Sequence, residues 1–184
     1  MLYIMRHGIT DWNVEHKLQG RTDIPLNADG RLMAERACDE YKSVNIDICY
    51  CSPLLRALET AQIVLKDRDI SIITDDRLME MGFGDYEGFK NCIKTPNCPI
   101  SVVFKHPENY IESISGSETF TELFARTGSF LKEVIEPQVK MGKDVLIVGH
   151  GAMNLSIIGQ IQNIPIKDFW SPGLEQCKLI PLEI

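Results

Sequence analysis

The sequence predicts an α/β protein, a three-layer α/β/α sandwich around a mostly parallel central sheet. Short β-branched and aliphatic runs alternate with longer stretches of helical periodicity, which is the chain order of βαβ units. Most of the short runs are apolar at consecutive rather than alternate positions, as strands are when helices cover both faces of a sheet. A length of 184 residues with 44% hydrophobic side chains suits a single domain spanning 1–184 with a sizeable core. The chain shows neither an internal repeat nor a low-complexity segment.

Residues 2–5, 46–51, 70–74 and 145–148 read as strands. Between them, 29–41 is an expected helix with Asn27 as its cap, and 53–65 another, opened by Ser52 as N-cap and Pro53 at the first helical position. Phe120, Leu123, Phe124, Thr127, Leu131 and Val134 keep helical i, i+3, i+4 spacing, and Ser115 and Glu118 precede them in the order of a capping box. Residues 152–161 are apolar almost all round, which predicts a well-covered helix. The last run, 177–183, contains Pro181 and belongs at a sheet edge. The least regular segment, about 85–116, carries Pro96, Asn97, Pro99 and Pro107 and reads as an insertion over the site. In such a sandwich, ligands sit beyond the carboxyl ends of the strands.

Composition narrows the function. Lys and Arg total 19 against 26 Asp and Glu, a formal charge of -7, so the surface is not built to neutralise nucleic acid or anionic lipid. No stretch approaches the ~20 apolar residues of a membrane span. The N-terminal MLYIMRHG has too short an apolar run for a secretory signal, so a cytoplasmic location is expected. The 6 cysteines lack C-x-x-C pairing and are expected to be reduced packing residues. A zinc site at Cys92 and Cys98 lacks partners at ligand spacing.

The chemistry gathers at strand ends. LYIM runs into Arg6-His7-Gly8, and VLIV into Gly149-His150-Gly151, so two of the chain's 4 histidines reach the functional edge, flanked by glycines that leave room for a ligand. Arg56 falls in the first turn of the helix after the second strand, where a guanidinium and the positive helix end both favour an oxyanion. Arg6 adds a second guanidinium. Glu80, between Met79 and Met81, is a candidate general acid because an apolar setting raises a carboxyl pKa. Asp85 and Glu87 compete for the same role.

These residues lie in blocks that resemble the histidine phosphatase superfamily, also called the phosphoglycerate mutase-like or RHG family. The blocks are RHGITDWNVEHKLQGRTDIPLNADG, SPLLRALETA, LMEMGFGDYEG, SGSETFTEL and VGHGA, and they span nearly the whole chain in order. The resemblance implies the phosphoglycerate mutase-like fold, with His7 as a nucleophile that becomes phosphohistidine and Glu80 as proton donor. It also implies that Arg6, Arg56 and His150 hold the phosphoryl oxygens. Thr10 and Asn13 match positions lining the phosphate pocket, and Gln19, Gly20 and Gly151 are further candidate substrate-binding residues. No metal or cofactor is required, since an imidazole is nucleophilic near neutral pH.

Gln19-Gly20, the short segment after Gly88, FWSP at 169–172 and an end soon after the last strand resemble small broad-specificity phosphatases. Phosphoglycerate mutase-type transfer is the alternative within the family. A catalytically silent phospho-ligand-binding relative and a metallohydrolase using His7, His150 and Asp11 are alternatives outside its chemistry. One departure from many relatives is the absence of a basic residue in Ala152-Met153-Asn154-Leu155. The expected partner is a small phosphorylated molecule, with a homodimer as the candidate assembly. Lys90, Lys94, Lys105 and His106 are either contacts for a second anion or solvated charges.

Overall fold

The computed structural model describes residues 1–184. In chain order it contains β1 (Leu2–Arg6), α1 (Asp11–Val14), α2 (Ala28–Glu40), β2 (Ile48–Cys51), α3 (Leu55–Val64), β3 (Ile72–Thr74) and α4 (Val102–Lys105). There follow α5 (Phe120–Phe130), α6 (Glu136–Lys140), β4 (Val145–Gly149), α7 (Gly151–Gln162) and β5 (Leu179–Leu182). The five strands lie in the order β3-β2-β4-β1-β5. All pair in parallel except the edge strand β5, which runs antiparallel to β1. No helix is long and apolar enough to cross a membrane.

The consecutive apolar positions in the strands are divided between two cores. Leu2 and Ile4 of β1 and Val145 and Ile147 of β4 pack on one face, with Leu123, Phe130 and Ile157. Met5, Leu146 and Val148 pack on the other, with Ala34, Ala57 and Ala61. The small alanines of α2 and α3 let both helices lie close to the sheet.

Several boundaries depart from the sequence reading. The helix read as opening at Ser52-Pro53 begins at Leu55, and Leu54 N–H instead donates to Ser52 Oγ at 3.3 Å. The free N–H of Leu55 donates to Asp23 Oδ1 at 2.7 Å, so a distant loop supplies the cap. The capping box is Thr119 with Glu122 rather than Ser115 with Glu118, because Ser115 lies in a left-handed turn at φ 50°. Helical winding after Phe120 continues through a π turn over Leu131–Ile135 into α6. Pro137 has no N–H for the carbonyl four residues back, and the widened turn precedes it. The segment 85–116 holds short 3₁₀ turns and α4. α1, only four residues long, is too short to show a helical period in the sequence.

Candidate active site

Parallel register brings the histidines together. β1 and β4 are neighbours with Arg6 opposite Gly149, and His7 N–H donates to Gly149 O at 2.9 Å, so both chains turn off the sheet at one level. The rings of His7 and His150 lie 5.2 Å apart. His7 Nδ1 lies 2.6 Å from Gly8 O, and since a carbonyl only accepts, the ring proton sits on Nδ1 and the lone pair on Nε2. Burial, then Arg56 and Arg6, hold the imidazole well below its ordinary pKa, which keeps that lone pair unprotonated. His150 is lowered likewise, chiefly by burial and then by Arg56. Its Nε2 is 2.7 Å from Ser52 Oγ. Ser52 Oγ also accepts from Leu54 N–H, and its hydroxyl can either give its proton to Nε2 or accept one from it, according to the His150 tautomer.

Fixed positive charge converges on the same place. Arg56, on the first turn of α3, donates to Thr22 O at 2.9 Å and Gly20 O at 2.7 Å. Burial lowers its pKa to about 10, which still leaves it charged at neutral pH. Arg6 donates to Leu174 O at 3.0 Å. Arg6 Nε, Arg56 Nε and His150 Nδ1 are buried with no hydrogen-bond partner in the protein. An orphaned buried donor is costly, and Arg6 and Arg56 both line the same cavity, so their guanidinium groups suit an oxyanion bound there.

The loop after His7 completes one wall. Thr10 is the N-cap of α1 and donates to Gln19 Oε1 at 2.8 Å. Asn13 Oδ1 accepts from Thr10 N and Gln176 Nε2, each at 3.1 Å, which fixes the amide with Nδ2 as the remaining donor. Asn13, Gln19, Gly20, Glu80 and Gly151 line a cavity of about 280 Å³ together with Arg6, His7 and Arg56. Thr10 and His150 are fully buried behind that lining, so Thr10 positions Asn13 and Gln19 rather than facing the cavity. The glycine argument also needs correction. A Cβ on Gly8 would meet Gly30 O of α2 at 2.6 Å, so the space beside it is used by the protein, not by a ligand.

Glu80 does line the cavity, though for a different reason from its methionine neighbours. Its Oε1 accepts from Met81 N at 2.8 Å and Met153 N at 3.0 Å, and its Oε2 from Ala152 N at 3.3 Å. The carboxylate therefore sits on the N-terminus of α7, surrounded by polar donors. The start of α7, which has no basic side chain of its own, thus holds a carboxylate. Behind it, Arg126 donates to Glu80 O at 3.2 Å and to Arg77 O at 2.6 Å, while forming a two-point pair with Glu118 at 2.6 and 2.9 Å. Arg21 reaches both Glu118 Oε1, at 3.1 Å, and Glu80 O, at 3.4 Å. Glu87 is committed elsewhere: its oxygens accept from the backbone N–H groups of Arg21, Thr22 and Phe83. Asp85 is exposed and outside the cavity. Of the three carboxylates weighed, Glu80 alone faces the cavity.

The sequence reading missed the braces Glu118, Arg126 and Arg21, and the outer cavity wall of Phe83, Phe104 and Trp170. Glu118 three residues past Ser115 was legible only as a capping pattern, and no local period marks an arginine that acts across 46 residues of sequence. Lys90, Lys94, Lys105 and His106 do not line the cavity; Lys17 does. No three His, Cys, Asp or Glu side chains cluster so as to hold a metal ion, which removes the His7, His150 and Asp11 grouping. All six cysteines are free and buried.

Residues 2–184 match the histidine phosphatase superfamily (branch 1). The chain belongs to that superfamily. It is 36% identical over 177 residues to the uncharacterized phosphatase PhoE of Bacillus subtilis strain 168, covering 96% of this chain and 82% of that protein. It is 29% identical over 170 residues to a 2,3-bisphosphoglycerate-dependent phosphoglycerate mutase of Cytophaga hutchinsonii, covering 91% and 80%. Among solved structures, Bacillus stearothermophilus YhfR superposes with a TM-score of 0.86 at 33% identity, over 97% of this chain and 88% of that one. The fold is thus that of the phosphoglycerate mutase-like enzymes, and the protein is a phosphatase or mutase-like enzyme of this superfamily.

Proposed function

We propose that this enzyme hydrolyses phosphate monoesters of small metabolites through a phosphohistidine on His7, with no metal ion or cofactor. The observation that carries the reading is the His7 ring. Nδ1 is tied to Gly8 O, and Nε2 is held neutral beside two arginines with unpaired Nε donors. In the first step the Nε2 lone pair forms a bond to phosphorus while the bond from phosphorus to the alcohol oxygen breaks. Arg6, Arg56 and His150 take up charge on the phosphoryl oxygens, and Glu80 delivers a proton to the departing oxygen. In the second step water attacks phosphorus, Glu80 takes its proton, and the N–P bond breaks to release phosphate.

Mutase-type transfer is the second reading, supported by the phosphoglycerate mutase relatives. A mutase has to hold a product that carries another anionic group. Beyond Arg6 and Arg56, the one cation lining this cavity is Lys17, and Glu15 lies 2.6 Å from its ammonium. That neutralised outer cavity favours hydrolysis. The test is to incubate the protein with 3-phosphoglycerate and with a panel of phosphorylated metabolites in the presence of a chelator, following free phosphate and phosphoglycerate isomers. Release of phosphate in step with substrate loss is expected. Isomer exchange outrunning phosphate release supports the mutase, absence of any turnover supports a silent binding relative, and turnover that needs added divalent metal contradicts the metal-free mechanism.

A further inference from the structure

We infer that the preferred substrates are monophosphate esters of uncharged alcohols with an aromatic or extended apolar body that packs against the wall of Phe104 and Trp170; the inference rests on the phosphatase reading. The two side chains reach the cavity from segments far apart in sequence, Phe104 from α4 and Trp170 from the connection between α7 and β5. Their rings lie 5.1 Å apart at an interplanar angle of 31°. Trp170 Nε1–H is already spent on Val103 O at 2.7 Å, so the indole offers the cavity an apolar face and no donor.

This wall is built in advance of any ligand. Phe83 packs on Phe104 at 5.6 Å, and Phe169, next to Trp170 at 4.9 Å, is buried against Phe120 of α5 at 4.7 Å. Ordering the rings therefore costs little when a substrate binds. Phe104 and Trp170 are themselves only partly buried, which leaves ring surface for a ligand to cover. Charge points the same way. The charged side chains lining the cavity are Arg6, Arg56, Glu80 and Lys17, and the first three belong to the reacting centre. Lys17 is paired with Glu15 at 2.6 Å and lies 5.5 Å from the Trp12 ring centre, so a second anion on the substrate meets no unpaired cation.

The test compares kcat/KM for 2-phenylethyl phosphate, ethyl phosphate and 3-phosphoglycerate. The first two release alcohols of similar acidity, so their ratio reports recognition of the apolar body. A preference for 2-phenylethyl over ethyl phosphate of ~10- to 100-fold is expected from burying one phenyl group, with 3-phosphoglycerate below 2-phenylethyl phosphate. Trp170→Ala and Phe104→Ala, each checked for folding by circular dichroism, should each shrink that ratio by most of its value. Two variants keep the test open if one fails to fold. Equal kcat/KM for the two esters, an unchanged ratio in a folded variant, or preference for 3-phosphoglycerate overturns the inference while leaving hydrolysis standing. Phosphate release from none of the three overturns the phosphatase reading together with it.

Discussion

At the scale of single residues, the site depends on groups whose orientation is set by a neighbour. Glu80 is the clearest case, because its main-chain carbonyl is held by Arg126 and Arg21 while its carboxylate rests on the backbone of α7. If it protonates the leaving oxygen, Glu80→Gln should slow an alkyl phosphate by ~100- to 10,000-fold while sparing the phosphorylation burst from a nitrophenyl phosphate, whose anion leaves unaided. Equal slowing of both bursts contradicts the assignment. Arg126→Ala acts one layer further out and should show the same selectivity at smaller amplitude. A structural defect alone would instead depress both substrates alike.

At the scale of elements, two helix starts that look equivalent serve different ends. Thr119 and Glu122 cap α5 at the surface and touch nothing in the cavity. Asp23 caps α3, and it belongs to the loop whose Gly20 and Thr22 carbonyls hold Arg56. Thr119→Ala and Asp23→Ala should each cost ~1 kcal/mol in denaturant unfolding. Only Asp23→Ala should also lower kcat/KM, and a parallel loss in Thr119→Ala would show that the α3 start has no special tie to the site. The helices themselves were legible from periodicity, and Asn27 was legible as the cap of α2, whereas the caps of α3 and α5 were not. Asp23 acts on Leu55 across 32 residues, and a local pattern cannot reveal a partner brought in by tertiary folding. The capping box was misplaced for the related reason that Ser115-x-x-Glu118 and Thr119-x-x-Glu122 are the same pattern four residues apart.

For the whole molecule, the parallel sheet was legible because strands buried on both faces read as unbroken apolar runs, as in VLIV of β4. Arg6, His7 and His150 were legible because strand ends localise them, and Arg56 because it falls in the first turn of the helix after β2. The aromatic wall was not, since Phe104 and Trp170 come from irregular segments whose mutual contact no period encodes. Placing two neutral histidines in the interior has a global consequence. Burial and the adjoining arginines lower both below the ordinary value of ~6.5 that they regain on unfolding. Below that pH the unfolded chain binds more protons than the folded one, so their contribution is fully present above it and is lost as pH falls. Tm should therefore drop between about pH 7 and pH 5. The drop should be smaller in a His7→Asn, His150→Asn double variant; equal drops would mean that other groups set the acid limit.

The central claim is that His7 accepts the phosphoryl group on the nitrogen that Gly8 leaves free. Rapid acid-free quenching after mixing with a radiolabelled aryl phosphate, followed by alkaline digestion and separation of the phosphohistidine isomers, addresses it directly. The account predicts base-stable, acid-labile label at Nε2 of His7, absent from His7→Ala. Label at Nδ1, on another residue, or retained in His7→Ala would contradict it.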